Sequence, residues 1–214
     1  MTTLGGLRTV AFAALLLLSG TGCTVGEGTG AVYTEEGEYL YLKGCWNGPF
    51  DLGPDFFAAN PYREESLMIR VQRGDNNEEA SDGLLVIVND LPAVKNLIGQ
   101  PIPVGLPNGV APPGQPLTGR PQPLVSLSIY LHQTCHEQNS ATYSVDGSIT
   151  FAHIFSGNPN EKDSDARLTE AEFDVTFADP RDLVDATDAA AVSGKVKGNF
   201  KFFFQRGQPA QPFQ

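Results

Sequence analysis

The chain has 214 residues, of which 25 are acidic and 14 are basic, and its formal net charge is −11. This length fits one domain, or at most two small ones, with a sizeable hydrophobic core. An acidic surface repels nucleic acid and anionic lipid headgroups, so the composition predicts no nucleic-acid partner and no membrane contact through a basic patch.

An apolar segment follows Arg8 near the start of the chain. Val10–Leu18 is uninterrupted apolar sequence, too short for a permanent transmembrane helix but within the range of a secretory signal. Small residues then run from Ser19 to Gly22 and lead directly into Cys23. This arrangement resembles a bacterial lipoprotein signal. The resemblance implies cleavage before Cys23 and acyl chains on its thiol and its new amino group.

The resemblance implies where the signal peptide ends and where in the cell the protein is located. Residues 1–22 are the predicted signal peptide, and acyl chains on Cys23 are the predicted membrane contact. Thr24 follows the cysteine, where an aspartate would favour retention at the inner membrane, so lipoprotein sorting implies the outer membrane. The alternative is a secreted or soluble periplasmic protein, because ordinary signal peptidase also accepts small residues such as Gly20 and Gly22.

Residues 23–37 are predicted to form the lipidated cysteine and a glycine-rich tether. Gly26, Gly28 and Gly30 alternate with other residues. A dinucleotide-binding loop is disfavoured, because no strand precedes these glycines. A short flexible segment that holds the domain close to the membrane is favoured.

Residues 38–207 are predicted to form a single all-β domain, followed by a surface tail over 208–214. Most of the candidate strands alternate apolar and polar residues, which is typical of half-buried antiparallel strands. In the last of them, Phe200, Phe202 and Phe204 share one face and lysines occupy the other. The fold predicted is an antiparallel β-sandwich, with a β-barrel as the alternative. The candidate strands are Glu38–Trp46, Leu67–Arg73, Leu84–Asp90, Leu124–Gln133, Ser148–Phe155, Ala171–Phe177 and Lys195–Gln205.

Three connecting segments carry distinct signals. Residues 101–123 contain eight prolines, which cannot occupy a central strand and therefore predict a long loop. The pair Asp146-Gly147 predicts a two-residue hairpin between Ala141–Val145 and the strand that follows. Arg181–Val192 could hold a short helix.

The remaining cysteines, Cys45 and Cys135, are predicted to form a disulfide. An exported protein with three cysteines leaves one thiol over, and lipidation of Cys23 would account for it. Zinc is the competing interpretation, because His132 and His136 flank Cys135. It is disfavoured, since on a strand the two histidines would point away from the cysteine and the spacing matches no familiar zinc motif.

No catalytic residue, metal site or cofactor is predicted. The chain contains neither G-x-S-x-G nor S-x-x-K, and the His136-Glu137 pair lacks the second histidine of a zincin. His153 shares a predicted strand face with Phe151 and Phe155, which favours a structural core residue. The acidic loops that contain Asp75, Asn77, Glu79 and Asp82, and Asn158, Asn160, Asp163 and Asp165, are interpreted as solvated turns.

Three aromatic side chains form a possible recognition patch. Tyr39 and Tyr41 would be exposed side by side if Leu40 and Leu42 face the core, and Trp46 lies in the same predicted strand. The function predicted is therefore a non-enzymatic, lipid-anchored envelope protein with a structural or partner-binding role, the partner being an unknown envelope protein or a glycan. The alternatives are a module that binds a glycan or lipid ligand and, more weakly, a hydrolase.

Overall fold

The computed structural model describes residues 28–63, 65–74, 78–136 and 141–205. The chain is predominantly β, and its nine-stranded antiparallel sheet is curled into a half-barrel, which confirms the predicted fold class. A separate two-stranded sheet is formed by β2 and β3. The strands are β1 (Gly28–Tyr33), β2 (Leu40–Leu42), β3 (Trp46–Gly48), β4 (Phe56–Arg63), β5 (Ser66–Gly74), β6 (Ser81–Val88), β7 (Pro101–Pro103), β8 (Val125–Leu131), β9 (Ala141–His153), β10 (Leu168–Ala178) and β11 (Ser193–Phe203).

The large sheet has the strand order β1-β11-β10-β9-β8-β6-β5-β4, and β7 pairs with β9. Short helices occupy the connections: α1 (Leu91–Lys95), α2 (Ser164–Arg167), α3 (Pro180–Asp185) and two 3-10 turns, Glu78–Ala80 and Ala189–Val192. Each α-helix begins after an aspartate whose side chain accepts a backbone N–H bond, as expected for N-caps. The helix suggested at Arg181–Val192 is present in part, as α3 and the second 3-10 turn.

The concave side of the half-barrel holds the core. Alternate residues of the strands point inward, and the side chains of the small sheet join the same buried cluster through Leu40 and Leu42. The predicted burial of Phe200, Phe202 and Phe204 is confirmed, with exposures of 1%, 1% and 8%. The neighbouring lysines of β11 face outward, as the alternation requires.

The first strand lies where the sequence predicts a tether. Residues 28–33 form β1, which pairs with β11 from Gly28↔Phe202 to Tyr33↔Lys197. Glycine is required here, because a Cβ on Gly28 would lie 2.6 Å from the Phe57 ring and 2.7 Å from Cβ of Phe202. Gly28 and Gly30 therefore allow close packing against Phe57, and β1 brings one edge of the curved sheet against β4.

The predicted hairpin at Asp146-Gly147 is wrong. One continuous strand, β9, runs through both residues and pairs with β10 on one side. Gly147 has a φ of +107°, and a Cβ there would lie 2.3 Å from the carbonyl oxygen of Asp174. The glycine thus serves a close approach between neighbouring strands inside a sheet, and it does not form a turn.

Two further predictions about segments need correction. Glu38–Trp46 is not one strand, because it turns at residues 43–45 to form the β2–β3 hairpin. The proline-rich segment is a loop over most of its length, but Pro101–Pro103 forms β7, in which Ile102 pairs with Ile149. Proline is tolerated because β7 pairs on one side only. The strand β4 carries no clear alternation in sequence and was not among the predicted strands.

Candidate functional site

The disulfide predicted from the cysteine count is present. Cys45 and Cys135 are bonded, with their Cα atoms 5.7 Å apart. Cys45 lies in the turn of the β2–β3 hairpin, where its N–H donates to the carbonyl of Leu42, and Cys135 lies in the turn after β8, where its N–H donates to Leu131. The bridge therefore ties the small sheet to the large one.

A buried carboxylate positions the turn that carries Cys135. Asp82 is only 1% exposed, and its Oδ1 accepts the backbone N–H groups of Gln133 and Thr134, each at 3.0 Å. Its Oδ2 accepts the Thr134 hydroxyl at 2.5 Å and a bond from Arg73 at 3.3 Å. The interpretation of Asp82 as a solvated turn residue is therefore wrong, because its charge is compensated inside the fold. Asp75 and Asn77 lie outside the described residues.

A cluster of polar side chains, most of them buried, lies on the convex face of β5, β6 and β8. Arg70 forms an ion pair of 3.1 Å with Glu78, and the Tyr130 hydroxyl donates to Oε1 of Gln72 at 2.8 Å. Burial, reinforced by the negative charge of Glu78, raises the pKa of Tyr130 well above its ordinary value. Tyr130 lies across Gly83, where a Cβ would come within 2.4 Å of the hydroxyl oxygen. These contacts help to hold this face of the sheet together.

The predicted aromatic patch is divided by the β2–β3 hairpin. Leu40 and Leu42 are buried as expected, and Tyr39 is 52% exposed. Trp46, however, pairs across the hairpin with Leu42 and so lies on the core-facing side. Its ring packs edge-on against Phe50 at 6.4 Å between centroids, and its Nε1 donates to the carbonyl of Gly48. Trp46 is therefore separated from the two tyrosines.

The histidines do not converge. Nδ1 of His132 lies 2.9 Å from the carbonyl oxygen of Glu78, and His136 is exposed. His153 is exposed as well, which corrects its assignment to the core. The register of β9 against β10 shifts by one residue after Phe151, and this bulge turns His153 outward. Within the described ranges, no three His, Cys, Asp or Glu side chains are grouped to hold a metal ion.

A small surface cavity lies beside Tyr41. It measures about 320 Å³ and is lined by charged groups of α3 and of the hairpin turn. Lys43 Nζ donates to Oδ1 of Asp182 at 2.7 Å, and Arg181 binds both carboxylate oxygens of Asp179. Burial opposes ionisation of Asp179, but the bonds from Arg181 outweigh it and hold the pKa of this carboxyl below its ordinary value. The charges here are compensated within the cavity wall.

Polar side chains form a continuous array on the outer face of β1, β11, β10 and β9. The antiparallel register aligns Tyr33 with Lys197, Lys197 with Asp174, and Asp174 with Ser148. The adjacent row contains Ala31, Asn199, Glu172 and Thr150 in the same strand order. A groove of about 320 Å³ lies across these rows. We call it the ladder groove; its lining residues are Tyr33, Ser148, Thr150, Glu172, Phe173, Asp174, Lys197, Gly198 and Asn199.

Within the described part of the chain, some polar side chains of the ladder groove form ion pairs, and others do not. Nζ of Lys197 lies 2.8 Å from Oε2 of Glu35 and 3.6 Å from Oδ2 of Asp174. The hydrogen bond to Glu35 raises the pKa of Lys197, so this ammonium group remains charged at neutral pH. Asp174 is also approached by Lys195 at 3.2 Å. Among the described residues, by contrast, the Glu172 carboxylate and the Asn199 amide have no hydrogen-bond or ion-pair partner.

The predicted lipidation site, Cys23, lies outside the described residues, as do the signal segment and the C-terminal tail. Within the part that is described, no helix is long and apolar enough to cross a membrane. Comparison with protein-family models, with curated proteins and with solved structures finds no match for this chain.

Proposed function

We propose that this chain is a non-enzymatic, lipid-anchored protein of the bacterial cell envelope that binds a partner or serves a structural role. The observation that carries the proposal is the disulfide. Cys45 and Cys135 are bonded to each other, which leaves Cys23 as the one cysteine of the chain outside that pair. This residue stands directly after the apolar segment and the small residues that resemble a lipoprotein signal, and acylation uses its thiol.

The arrangement of polar groups favours binding or structure over catalysis. The concave side of the half-barrel is filled by side chains such as Phe151, Phe177 and Phe200, all at most 1% exposed. The buried ionisable groups Asp82 and Arg70 are held by bonds within the fold. A hydrolytic site would need a nucleophile and a base that converge in a cleft. The described histidines do not converge in this way.

The tether proposed for the anchor is short. From Cys23 to Gly28 there are five residue steps, which span at most about 17 Å when fully extended. The beginning of β1 therefore lies near the bilayer surface in the anchored protein. Phe203, the last residue of β11, is 42% exposed close to this point, and its ring is suited to contact the interfacial region. Thr24 after the cysteine favours the outer membrane as the address.

The proposal is tested by substitution of Cys23. We expect the wild-type chain to sediment with membranes and the Cys23→Ser variant to appear in the soluble fraction. The matched control is the Cys45→Ser/Cys135→Ser double variant, which keeps Cys23 and should remain with membranes. Mass spectrometry should find a mature N-terminus at Cys23 carrying acyl chains. A mature terminus at an unmodified Cys23, or a soluble wild-type protein, would refute the anchor.

A further inference from the structure

We infer that the ladder groove is a binding site for a neutral oligosaccharide. This inference names the partner that the proposed function leaves open, but it rests on the groove alone and does not require the lipid on Cys23. The site is distinct from the aromatic patch predicted around Tyr39 and Tyr41, since it uses Tyr33 on β1 and side chains of β9, β10 and β11.

The first support is the match of hydrogen-bonding groups. Saccharides present neighbouring hydroxyl groups, each a donor and an acceptor. The Glu172 carboxylate accepts, the Asn199 amide both donates and accepts, and the Thr150 hydroxyl does both. These three side chains lie in one row across three adjacent strands, so about 4.8 Å separates each from the next. The row can therefore meet hydroxyls of successive sugar units without rearrangement of the backbone.

The second support is the aromatic wall. Tyr33 is 38% exposed at one end of the groove, on the outward side of β1, while the preceding Val32 is fully buried. β1 is bonded on both sides here, to β11 and, through a bridge between Tyr33 and Asp51, to the segment after β3. An amphipathic ring on a fixed strand can pack against the apolar face of a sugar ring at little entropic cost.

The third support is charge, which also excludes other ligands. The groove holds Glu172 and Asp174 against Lys197, and the whole chain is strongly acidic, so an anionic polysaccharide would be repelled. Lys197 reaches Asp174 directly, and its ammonium group opposes a metal cation between the two carboxylates. The lining is mostly polar, and its one phenylalanine, Phe173, is only 5% exposed, so an acyl chain would bury little of its surface there. A neutral glycan fits the groove best.

The test measures binding by calorimetry with the full chain carrying Cys23→Ser, so that failure of the anchor leaves the result intact. The probes are chitin-, cellulose- and amylose-derived hexasaccharides, with a heparin-derived hexasaccharide as the anionic comparison. We expect at least one neutral probe to bind. Tyr33→Ala and Glu172→Gln should each weaken it about tenfold, while Tyr33→Phe, which keeps the ring, should stay within about threefold.

Matched controls separate the groove from the rest of the surface. Tyr62→Ala removes a tyrosine of similar exposure, 45%, on the β4 edge, and Lys201→Ala breaks an outer-face ion pair with Glu170 beyond the groove. Both variants should bind as the parent chain does, and the melting temperature of every variant is measured to confirm folding. No binding of any neutral probe, tighter binding of the heparin fragment, or equal loss in Tyr62→Ala and Tyr33→Ala would overturn the inference.

Discussion

Replacement of Phe202 by alanine should be among the most destabilising single changes in this chain. The ring is 1% exposed, and its centroid lies 6.0 Å from that of Phe57 and 6.3 Å from that of Phe200. Gly28 lies directly against its Cβ and has no side chain with which to fill a void. Because the cavity cannot collapse easily, we expect the full cost of a buried Phe→Ala change, about 3–5 kcal/mol.

Thermal unfolding followed by circular dichroism measures this cost. For a domain of this size, each kcal/mol lowers the melting temperature by roughly 2–4 °C, so Phe202→Ala should lower it by about 6–20 °C. The matched control is Phe203→Ala, the same change one residue along at a side chain that is 42% exposed, which should cost less than about 1 kcal/mol. Lys201→Ala loses a solvent-exposed ion pair of 2.8 Å with Glu170 and should cost no more than about 1 kcal/mol. Equal shifts for Phe202→Ala and Phe203→Ala would refute the register of β11.

Three other perturbations test separate contacts. Replacing both Cys45 and Cys135 by alanine opens a loop of about 90 residues and should cost up to roughly 4.6 kcal/mol, as measured by urea unfolding of this variant against the oxidised parent. Gly28→Ala would force a Cβ to within 2.6 Å of the Phe57 ring, so we expect about 1–3 kcal/mol of overpacking cost, whereas a neutral result would place β1 farther from β4. Burial raises the pKa of Tyr130, so its neutral form stabilises the folded state up to the ordinary tyrosine pKa of about 10, and this contribution is lost as pH rises through the folded value. Burial also raises the pKa of Tyr143, so ultraviolet titration should show late tyrosine ionisation that becomes ordinary on unfolding, and Tyr130→Phe should remove part of it.

Much of the fold follows from residue alternation. In β10 and β11, apolar side chains recur at every second position, and a one-residue slip would bury lysines and expose the phenylalanine rings. That pattern is local, so the sequence alone predicts it. The disulfide was also predictable, because compartment and cysteine count leave few pairings for three cysteines. Neither argument needs to know which strands are neighbours.

The continuity of β9 could not be predicted for a physical reason. Asp146-Gly147 satisfies the requirements of a two-residue turn, since glycine readily adopts positive φ. The same φ is used here inside the sheet, where Gly147 faces Val175 and leaves room for the backbone of β10. Only the tertiary neighbour distinguishes the two outcomes. His153 was misplaced for a similar reason, because a bulge changes which face a residue occupies.

The sequence alone could not predict the ladder groove, because the groove depends on the register between neighbouring strands. The outward residues Lys197 and Asn199 belong to a predicted strand, and so does Asp174. Their alignment with Tyr33 requires β1, which the glycine pattern assigned to a tether. A glycine that alternates with side chains is compatible with a flexible segment and with a strand pressed against a neighbour, and the phenylalanines that decide between them lie far away in sequence.

The curvature of the sheet relates the close packing at Gly28 to the position of Tyr33. Two register shifts in the β9–β10 pairing, near Phe177 and near Ala171, increase the local twist of the central strands. The curl brings β1 toward β4, where a side chain larger than glycine at Gly28 would collide with Phe57. With β1 fixed in this way, Tyr33 is held on the outer face beside Lys197. The close packing that glycine permits at Gly28 therefore also fixes the position of Tyr33 in the ladder groove on the outer face. A change at Gly28 that shifts β1 should accordingly weaken saccharide binding at Tyr33 as well as stability, although Gly28 is five residues from that ring.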